Sequence, residues 1–317
     1  MTRIAVLDDY QRIAASMADW GRLPADCSVA FFHEHLPDED TRAALLAPYE
    51  IVVAMRERTP FPAALLARLP NLRLLVTTGM RNAAIDIAAA AERSVTVCGT
   101  RGQRTSTAEL TWGLILSLVR HIPIEDRAMR AGGWQSTIGP SLEGKALGVI
   151  GLGNLGSQVA AVGRAFGMDV VAWSQNLTAE RAMHHGARLV SKDELLAHSD
   201  IVTIHLVLSD RTRGLISRRE LALMKPTAYL VNTSRGPIVE EAALVEALRS
   251  GAIAGAALDV YDREPLPPNH SLRGLPNTVL TPHLGYVTTD GYRIFYGDAV
   301  EDILAFLSGD PVRVIRA

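Results

Sequence analysis

The chain has 317 residues, 48% of them hydrophobic and 21% charged, with a formal net charge of −2. That is ordinary globular composition at a length of about two domains, and a near-neutral chain has no basic footprint for nucleic acid or an anionic membrane surface. The start, Met1-Thr2-Arg3-Ile4-Ala5-Val6, lacks the parts of a signal peptide, and the apolar run 110–119 is far short of the roughly 20 residues that cross a bilayer, so a cytoplasmic protein is expected.

From the N-terminus, short β-branched runs at 4–7, 29–32, 51–54, 72–76 and 95–98 alternate with helical patterns. Thr59-Pro60 before Phe61 reads as a helix cap with proline at the first helical position. A long helical pattern over 106–120 is followed by a second ending near Ala131, and Gly132-Gly133-Trp134 breaks it. A second series of strands runs through 146–150, 169–173, 201–205, 228–232, 255–259 and 278–280. The helix predicted over 240–250 stops at Gly251, a residue suited to a left-handed C-terminal position. The last helix, from near Asp290 to Gly309, has Ile294, Phe295, Ile303, Leu304 and Leu307 as its buried stripe. Such alternation predicts α/β architecture in two units, each a parallel sheet with helices on both faces. Cys27 and Cys98, without a Cys-x-x-Cys pair, read as reduced thiols.

Gly151-Leu152-Gly153-Asn154-Leu155-Gly156 fits G-x-G-x-x-G. The pattern has mechanical meaning here because it follows the strand 146–150 and opens a helix, with another strand after it. The first glycine makes the tight turn, the second admits a pyrophosphate, and the third packs helix on strand. The helix start then offers free N–H groups to the phosphates. After the following strand an acid usually grips the ribose 2′-hydroxyl of NAD. Trp173-Ser174-Gln175-Asn176 contains none, which removes a barrier to NADP; the coenzyme is read as NAD or NADP, with NADP slightly favoured and Arg181 the nearest downstream cation. Gly139-Pro140-Ser141-Leu142-Glu143-Gly144-Lys145-Ala146 nearly matches a P-loop. It lacks the Ser/Thr and precedes a strand instead of following one, so an ATPase is set aside.

Three later segments place ionisable residues just after strands: Asn232-Thr233-Ser234-Arg235-Gly236, Asp259-Val260-Tyr261-Asp262-Arg263-Glu264-Pro265 and Thr281-Pro282-His283-Leu284-Gly285. In open α/β sheets, ligands bind beyond the carboxyl ends of the strands. With Gly144–Ile150 leading into the glycine turn, Asp200–Leu206, Met224-Lys225-Pro226 and Ala257–Val260, these segments run in order along nearly the whole chain. In them the sequence resembles the D-isomer-specific 2-hydroxyacid dehydrogenases, which include phosphoglycerate, glyoxylate/hydroxypyruvate and D-lactate dehydrogenases.

The resemblance implies a Rossmann-type coenzyme domain (101–284) inserted in a flavodoxin-like substrate domain (1–100 and 285–317), with the active site in the cleft between them, and a homodimer. It implies a hydride exchanged between NAD(P)H and C2 of a small 2-oxo or 2-hydroxy acid. Arg235 matches the residue that fixes the substrate carboxylate, a task suited to a forked guanidinium. His283 matches the general acid/base, and Glu264 the carboxylate that orients it. Asp259 matches a residue near the nicotinamide carboxamide, and Ser174, His205 and Thr233 join the glycine turn in the coenzyme set. Gly79, Met80 and Arg81 match the loop that holds the substrate carboxylate.

Departures from the family pattern are instructive. Arg81 stands where a second glycine is expected, either narrowing the pocket, adding a cation or pointing to solvent. Arg101 replaces a proline in the loop 99–106, and Tyr286 replaces a common glycine beside His283. Arg81, Arg101 and Arg235 together suggest a substrate richer in negative charge than lactate. His33-Glu34-His35 and His184-His185 lack a third ligand at recognisable spacing, so no metal site is assigned. The apolar stretch 110–119, with Trp112, is either a subunit contact or ordinary core. The competing function is a coenzyme-sensing binding protein that resembles the corepressor relatives of this family and does not turn over substrate.

Overall fold

A computed structural model describes residues 1–103 and 105–316; Arg104, which belongs to the sequence segment 99–106 named above, and Ala317 lie outside them. The chain divides into two compact units, Met1–Gln103 with Thr288–Ala317, and Arg104–Val287.

The first unit contains strands β1 (Thr2–Val6), β2 (Cys27–Phe31), β3 (Ile51–Ala54), β4 (Leu74–Thr77) and β5 (Thr96–Gly99), and helices α1 (Ala14–Met17), α2 (Glu39–Leu46), α3 (Ala63–Ala67) and α4 (Ile87–Glu92). Its five parallel strands run in the order β2-β1-β3-β4-β5, the flavodoxin-like winding. Strands β3 and β4 are buried along their whole length, which is why they read as unbroken apolar runs and not as alternation.

The second unit starts with α5 (Ser106–Val119) and α6 (Ile122–Arg130). It continues through β6 (Ala146–Ile150), α7 (Asn154–Ala165), β7 (Asp169–Trp173), α8 (Ala179–His184), β8 (Arg188–Leu189), α9 (Lys192–His198), β9 (Ile201–Ile204), α10 (Arg218–Leu223), β10 (Tyr229–Asn232), α11 (Glu241–Ser250), β11 (Gly255–Leu258) and β12 (Thr278–Leu280). Its seven parallel strands run β12-β11-β10-β9-β6-β7-β8. Six of them repeat the dinucleotide-binding order, with the reversal between β6 and β9, and β12 extends the sheet. The chain returns to the first unit as α12 (Thr289–Leu307).

Most strand bounds fall within two residues of the sequence reading. The two-residue β8 is too short to show as a periodic run and was not foreseen. The cap expected at Thr59-Pro60 does not form: α3 begins three residues later, at Ala63 with Pro62 at its N-cap. Thr59 instead donates its hydroxyl to Asp8 Oδ2 at 2.8 Å, and Phe61 bridges to Ile85. Burial of Phe61 thus outweighs a local helix start. Gly251 closes α11 at φ +72, the left-handed position foreseen for it. In α12, Phe295 and Ile303 are buried, but so are Tyr292, Tyr296, Asp298 and Asp302, while Ile294, Leu304 and Leu307 are half-buried.

Residues 313–315 lie along β5, with the Gly99 amide donating to the Arg313 carbonyl at 3.0 Å and the Ile315 amide to Val97 at 2.8 Å. Both cysteines are free, and burial pushes the Cys98 thiol up to about 12. The P-loop decoy packs beneath α5: a side chain at Gly139 would meet the Val119 carbonyl oxygen at 1.9 Å. No described helix is long and apolar enough to cross a membrane.

Candidate active site

The glycine turn leaves β6 and enters α7. Gly151 adopts φ +99, and a Cβ there would lie 2.6 Å from the His205 carbonyl oxygen. A Cβ on Gly156 would lie 2.0 Å from the Gly151 carbonyl oxygen. Gly151 excludes a side chain by both backbone conformation and close approach, Gly156 by close approach alone. Gly153 differs: nothing lies within 4 Å of the Cβ it lacks. No side chain caps α7, and its first turn carries no acid. The amides of Asn154, Leu155 and Gly156 therefore begin a helix without intrahelical acceptors, next to open space.

His205 follows β9 beside this turn. Its amide donates to Ile150 at 2.7 Å, and its Nε2 lies 2.9 Å from Thr203 Oγ1. Burial holds the imidazole neutral, down to about 4, and its buried Nδ1 has no partner among the described residues. Open space over Gly153, unpaired helix-start amides and an orphaned polar nitrogen fit a phosphate-bearing dinucleotide. Ser174, half-buried after β7, is followed by exposed Gln175 and Asn176, so no carboxylate stands at the strand end.

Arg235 follows β10 on a turn tied by its own side chains. Asn232 accepts the Ser234 amide and donates to the Arg235 carbonyl, both at 3.0 Å, while Ser234 donates its hydroxyl to Ile204 at 2.8 Å. The guanidinium donates to the Ser234 carbonyl at 2.7 Å. The next residue, Gly236, presses on the loop after β11: a Cβ would meet the Tyr261 carbonyl carbon at 2.1 Å. That contact sets the arginine turn directly against the loop carrying Glu264.

Glu264 and His283 meet, with Oε2 2.6 Å from Nδ1. The other carboxylate oxygen accepts the Tyr261 amide at 2.9 Å. The pair is mostly covered, with side chains 33% and 19% exposed. His283 stands at φ +56, a region few non-glycine residues adopt. Asp259 holds it there from behind. Fully buried, it accepts the Leu284 amide (2.7 Å) and the Thr281 hydroxyl (2.6 Å) on Oδ1, and the Gly285 amide (2.8 Å) on Oδ2. Burial raises its pKa against the pull of those hydrogen bonds. Three of its hydrogen bonds thus serve the histidine loop, a structural task beyond the one its family position implies.

Two threonines of α5 escaped the sequence reading. Thr107 donates to the Gly285 carbonyl at 2.9 Å, and Thr111 lies 2.9 Å from the hydroxyl of buried Thr233. They tie the histidine and arginine loops to one helix. A helix interior shows no such cue in sequence.

The first unit contains the loop 79–82. Gly79 has φ +91 and donates its amide to Thr100 at 2.8 Å. Met80 and Arg81 are exposed, and Asn82 pins the loop by donating to Arg56 O (2.7 Å) and Thr77 Oγ1 (2.8 Å). Arg101 does not stand as an available cation: Asp298 grips it at Nε (3.0 Å) and Nη2 (2.6 Å). The cation packed on the Gly79 turn is Arg56, whose Nη1 lies 2.1 Å from the missing Cβ and donates to the Thr78 carbonyl at 3.3 Å. The strand-end rule that singled out Arg235 points equally to Arg56, two residues past β3.

Residues 112–285 match the NAD binding domain of D-isomer specific 2-hydroxyacid dehydrogenase. The chain belongs to that family. It is 42% identical over 255 residues to a glyoxylate reductase of Aeropyrum pernix, a match covering 77% of this chain and 76% of that one. It is 40% identical over 268 residues to a D-3-phosphoglycerate dehydrogenase of Archaeoglobus fulgidus, covering 84% of this chain but only 51% of that longer protein. In structure it resembles a phosphoglycerate oxidoreductase from Vibrio cholerae, with TM-score 0.93 and 37% identity over 98% of this chain and all of that one. The two parallel sheets and the coenzyme turn are thus family features.

Proposed function

We propose that this dehydrogenase reduces a small 2-oxo acid to its D-2-hydroxy acid, and the reverse, with the second unit supplying the acid/base chemistry. The observation that carries this is the 2.6 Å pair of His283 and Glu264 in the same unit as the glycine turn. When bound, a nicotinamide coenzyme supplies or accepts the hydride at C2. The chain's residues do the rest. Arg235 holds the carboxylate and polarises the adjacent carbonyl through a forked pair of hydrogen bonds. His283 donates a proton from Nε2 to the oxygen that becomes the hydroxyl, and takes it back in oxidation. Glu264 fixes the ring through Nδ1, so that Nε2 is the exchanging atom. Gly79, Met80 and Arg81 contribute the carboxylate-binding loop that the resemblance implies. The relatives carry enzyme names, and no observation favours the coenzyme-sensing alternative.

For the coenzyme, the acid-free end of β7 supports NADP as at least equal to NAD. The test is nicotinamide absorbance with glyoxylate and hydroxypyruvate, using NADH and NADPH in parallel. Turnover of either acid is expected, and its loss in His283→Asn by about 10²–10⁴-fold. A wild-type rate in that variant overturns the acid assignment, and a strong NADH preference overturns the coenzyme assignment.

A homodimer is the second part of the proposal, with its contact carried by the apolar surface next to α5. Trp112, Leu114, Ile115, Leu118 and Val119 of α5 are buried in the core of their own unit. The apolar surface lies just beyond. Trp134 is 72% exposed and Ile138 94%, and Ile122, Met129 and Trp134 help line a surface cavity of about 690 Å³. Large exposed apolar side chains grouped this way mark an interaction surface. Trp134→Glu is expected to halve the mass measured by sedimentation; a monomeric wild-type chain rejects the dimer.

A further inference from the structure

We infer that Tyr286 is a positioning residue for His283, holding the plane of the imidazole that Glu264 holds only at one atom. This rests on the acid/base reading of His283 given above. The backbone under the histidine is fixed, since Asp259 accepts the next two amides. The Cβ is therefore placed, and Nδ1 is tied to Glu264. What remains is rocking of the ring about its last torsion. That torsion is broad for an imidazole, and rocking moves Nε2 while keeping a bent Nδ1 bond.

Tyr286 closes this freedom. The chain turns back on itself, with the Val287 amide donating to the Leu284 carbonyl at 2.8 Å. The turn is tight: a Cβ on Gly285 would lie 3.2 Å from both Asp259 Oδ2 and Thr107. It delivers the Tyr286 ring to 5.3 Å from the imidazole centroid, at an interplanar angle of 70°. This is the edge-to-face geometry that aromatic pairs prefer. Carboxylate and phenol ring thus constrain the imidazole in two independent ways, one at an atom and one through the edge-to-face ring contact. A glycine at 286 leaves only the first. The contact with the imidazole is made by the ring, so phenylalanine is the substitution that preserves it.

The consequence is kinetic. A catalytic atom displaced by about 1 Å slows the chemical step steeply without changing how substrate is held. The test compares Tyr286→Gly, Tyr286→Leu, Tyr286→Phe and His283→Asn in the full chain. Turnover of glyoxylate and hydroxypyruvate is measured in H₂O and D₂O with saturating coenzyme. The glycine and leucine variants are expected to lose about tenfold in kcat, with KM changed by less than about twofold. The solvent isotope effect on kcat is expected to rise, because proton delivery becomes limiting, and phenylalanine to restore the wild-type values. Leucine fills volume without a ring, so it reads the contact even if glycine unfolds the loop. A KM increase at unchanged kcat, an unchanged isotope effect, or a phenylalanine variant as slow as glycine overturns the inference. Loss at 283 with none at 286 removes this inference alone. Full turnover in His283→Asn removes the reading beneath it.

Discussion

The two units each place a glycine turn at the carboxyl end of a parallel sheet, yet the turns are finished differently. After β6, Gly153 has empty space around its missing Cβ; after β4, Gly79 has the Arg56 guanidinium 2.1 Å from that point. Both turns need glycine at positive φ, at Gly151 and Gly79 respectively. Topology therefore decides where such turns occur. The neighbouring strand's next residues decide whether the space above is left for a ligand or taken by the chain's own cation. The units differ in their buried acids too. In the first, burial outweighs Arg313 and pushes Asp302 up to about 7; in the second, Ser217 and Lys192 hold Glu220 down to about 2 despite its burial.

The largest expected effect comes from closing the open turn. Gly156→Ala puts a carbon 2.0 Å from the Gly151 carbonyl oxygen, a backbone atom that cannot step aside. Strain of about 3 kcal/mol is expected to weaken coenzyme binding by on the order of a hundredfold, read by calorimetric titration. Unchanged affinity breaks the comparison.

Next is the acid pair. Asp302 binds a proton in the folded chain that the unfolded chain, at an ordinary 3.8, has released. Its stabilisation is full below about 3.8 and is lost as pH rises through about 7. Asp302→Asn is expected to remove that slope, gaining on the order of 4 kcal/mol over wild type at pH 8. Hydrogen exchange at the Gly99 and Ile315 amides, which hold residues 313–315 to β5, reads it locally. Glu220 has the opposite sign, its stabilisation being full above 4.5 and lost as pH falls through about 2.

Gly153→Ala comes third. It is expected to leave the melting temperature in place and cost about tenfold in coenzyme affinity, since the methyl fills ligand space and not protein space. Last, Gly79→Ala is expected to cost about 1–2 kcal/mol for the left-handed backbone plus displacement of Arg56. Arg56→Ala should remove the second part only, and a denaturation cycle that shows simple additivity refutes the packing of Arg56 on this turn.

The sequence was informative wherever chemistry coincides with local pattern. The strand-turn-helix around Gly151 and the strand-end placement of Arg235, Glu264 and His283 were legible because a βα unit repeats the same local rule each time. Arg56, two residues past β3, obeys the same rule in the first unit. Thr59-Pro60 misled because its cap signal is local while Phe61 answers to a distant partner, Ile85.

By itself, then, the amino-acid order determined an α/β chain with a dinucleotide turn and three ionisable residues just past strand ends, since periodicity and turn chemistry act over a few residues. Only tertiary structure decided that Arg101 is engaged by Asp298, that Asp259 fastens the histidine loop, that most apolar side chains of α5 pack into the core of their own unit, and that Tyr286 reaches the imidazole. Each is a pairing or packing between groups whose meeting depends on how sheets stack and turns close, and such distances are written nowhere in local sequence.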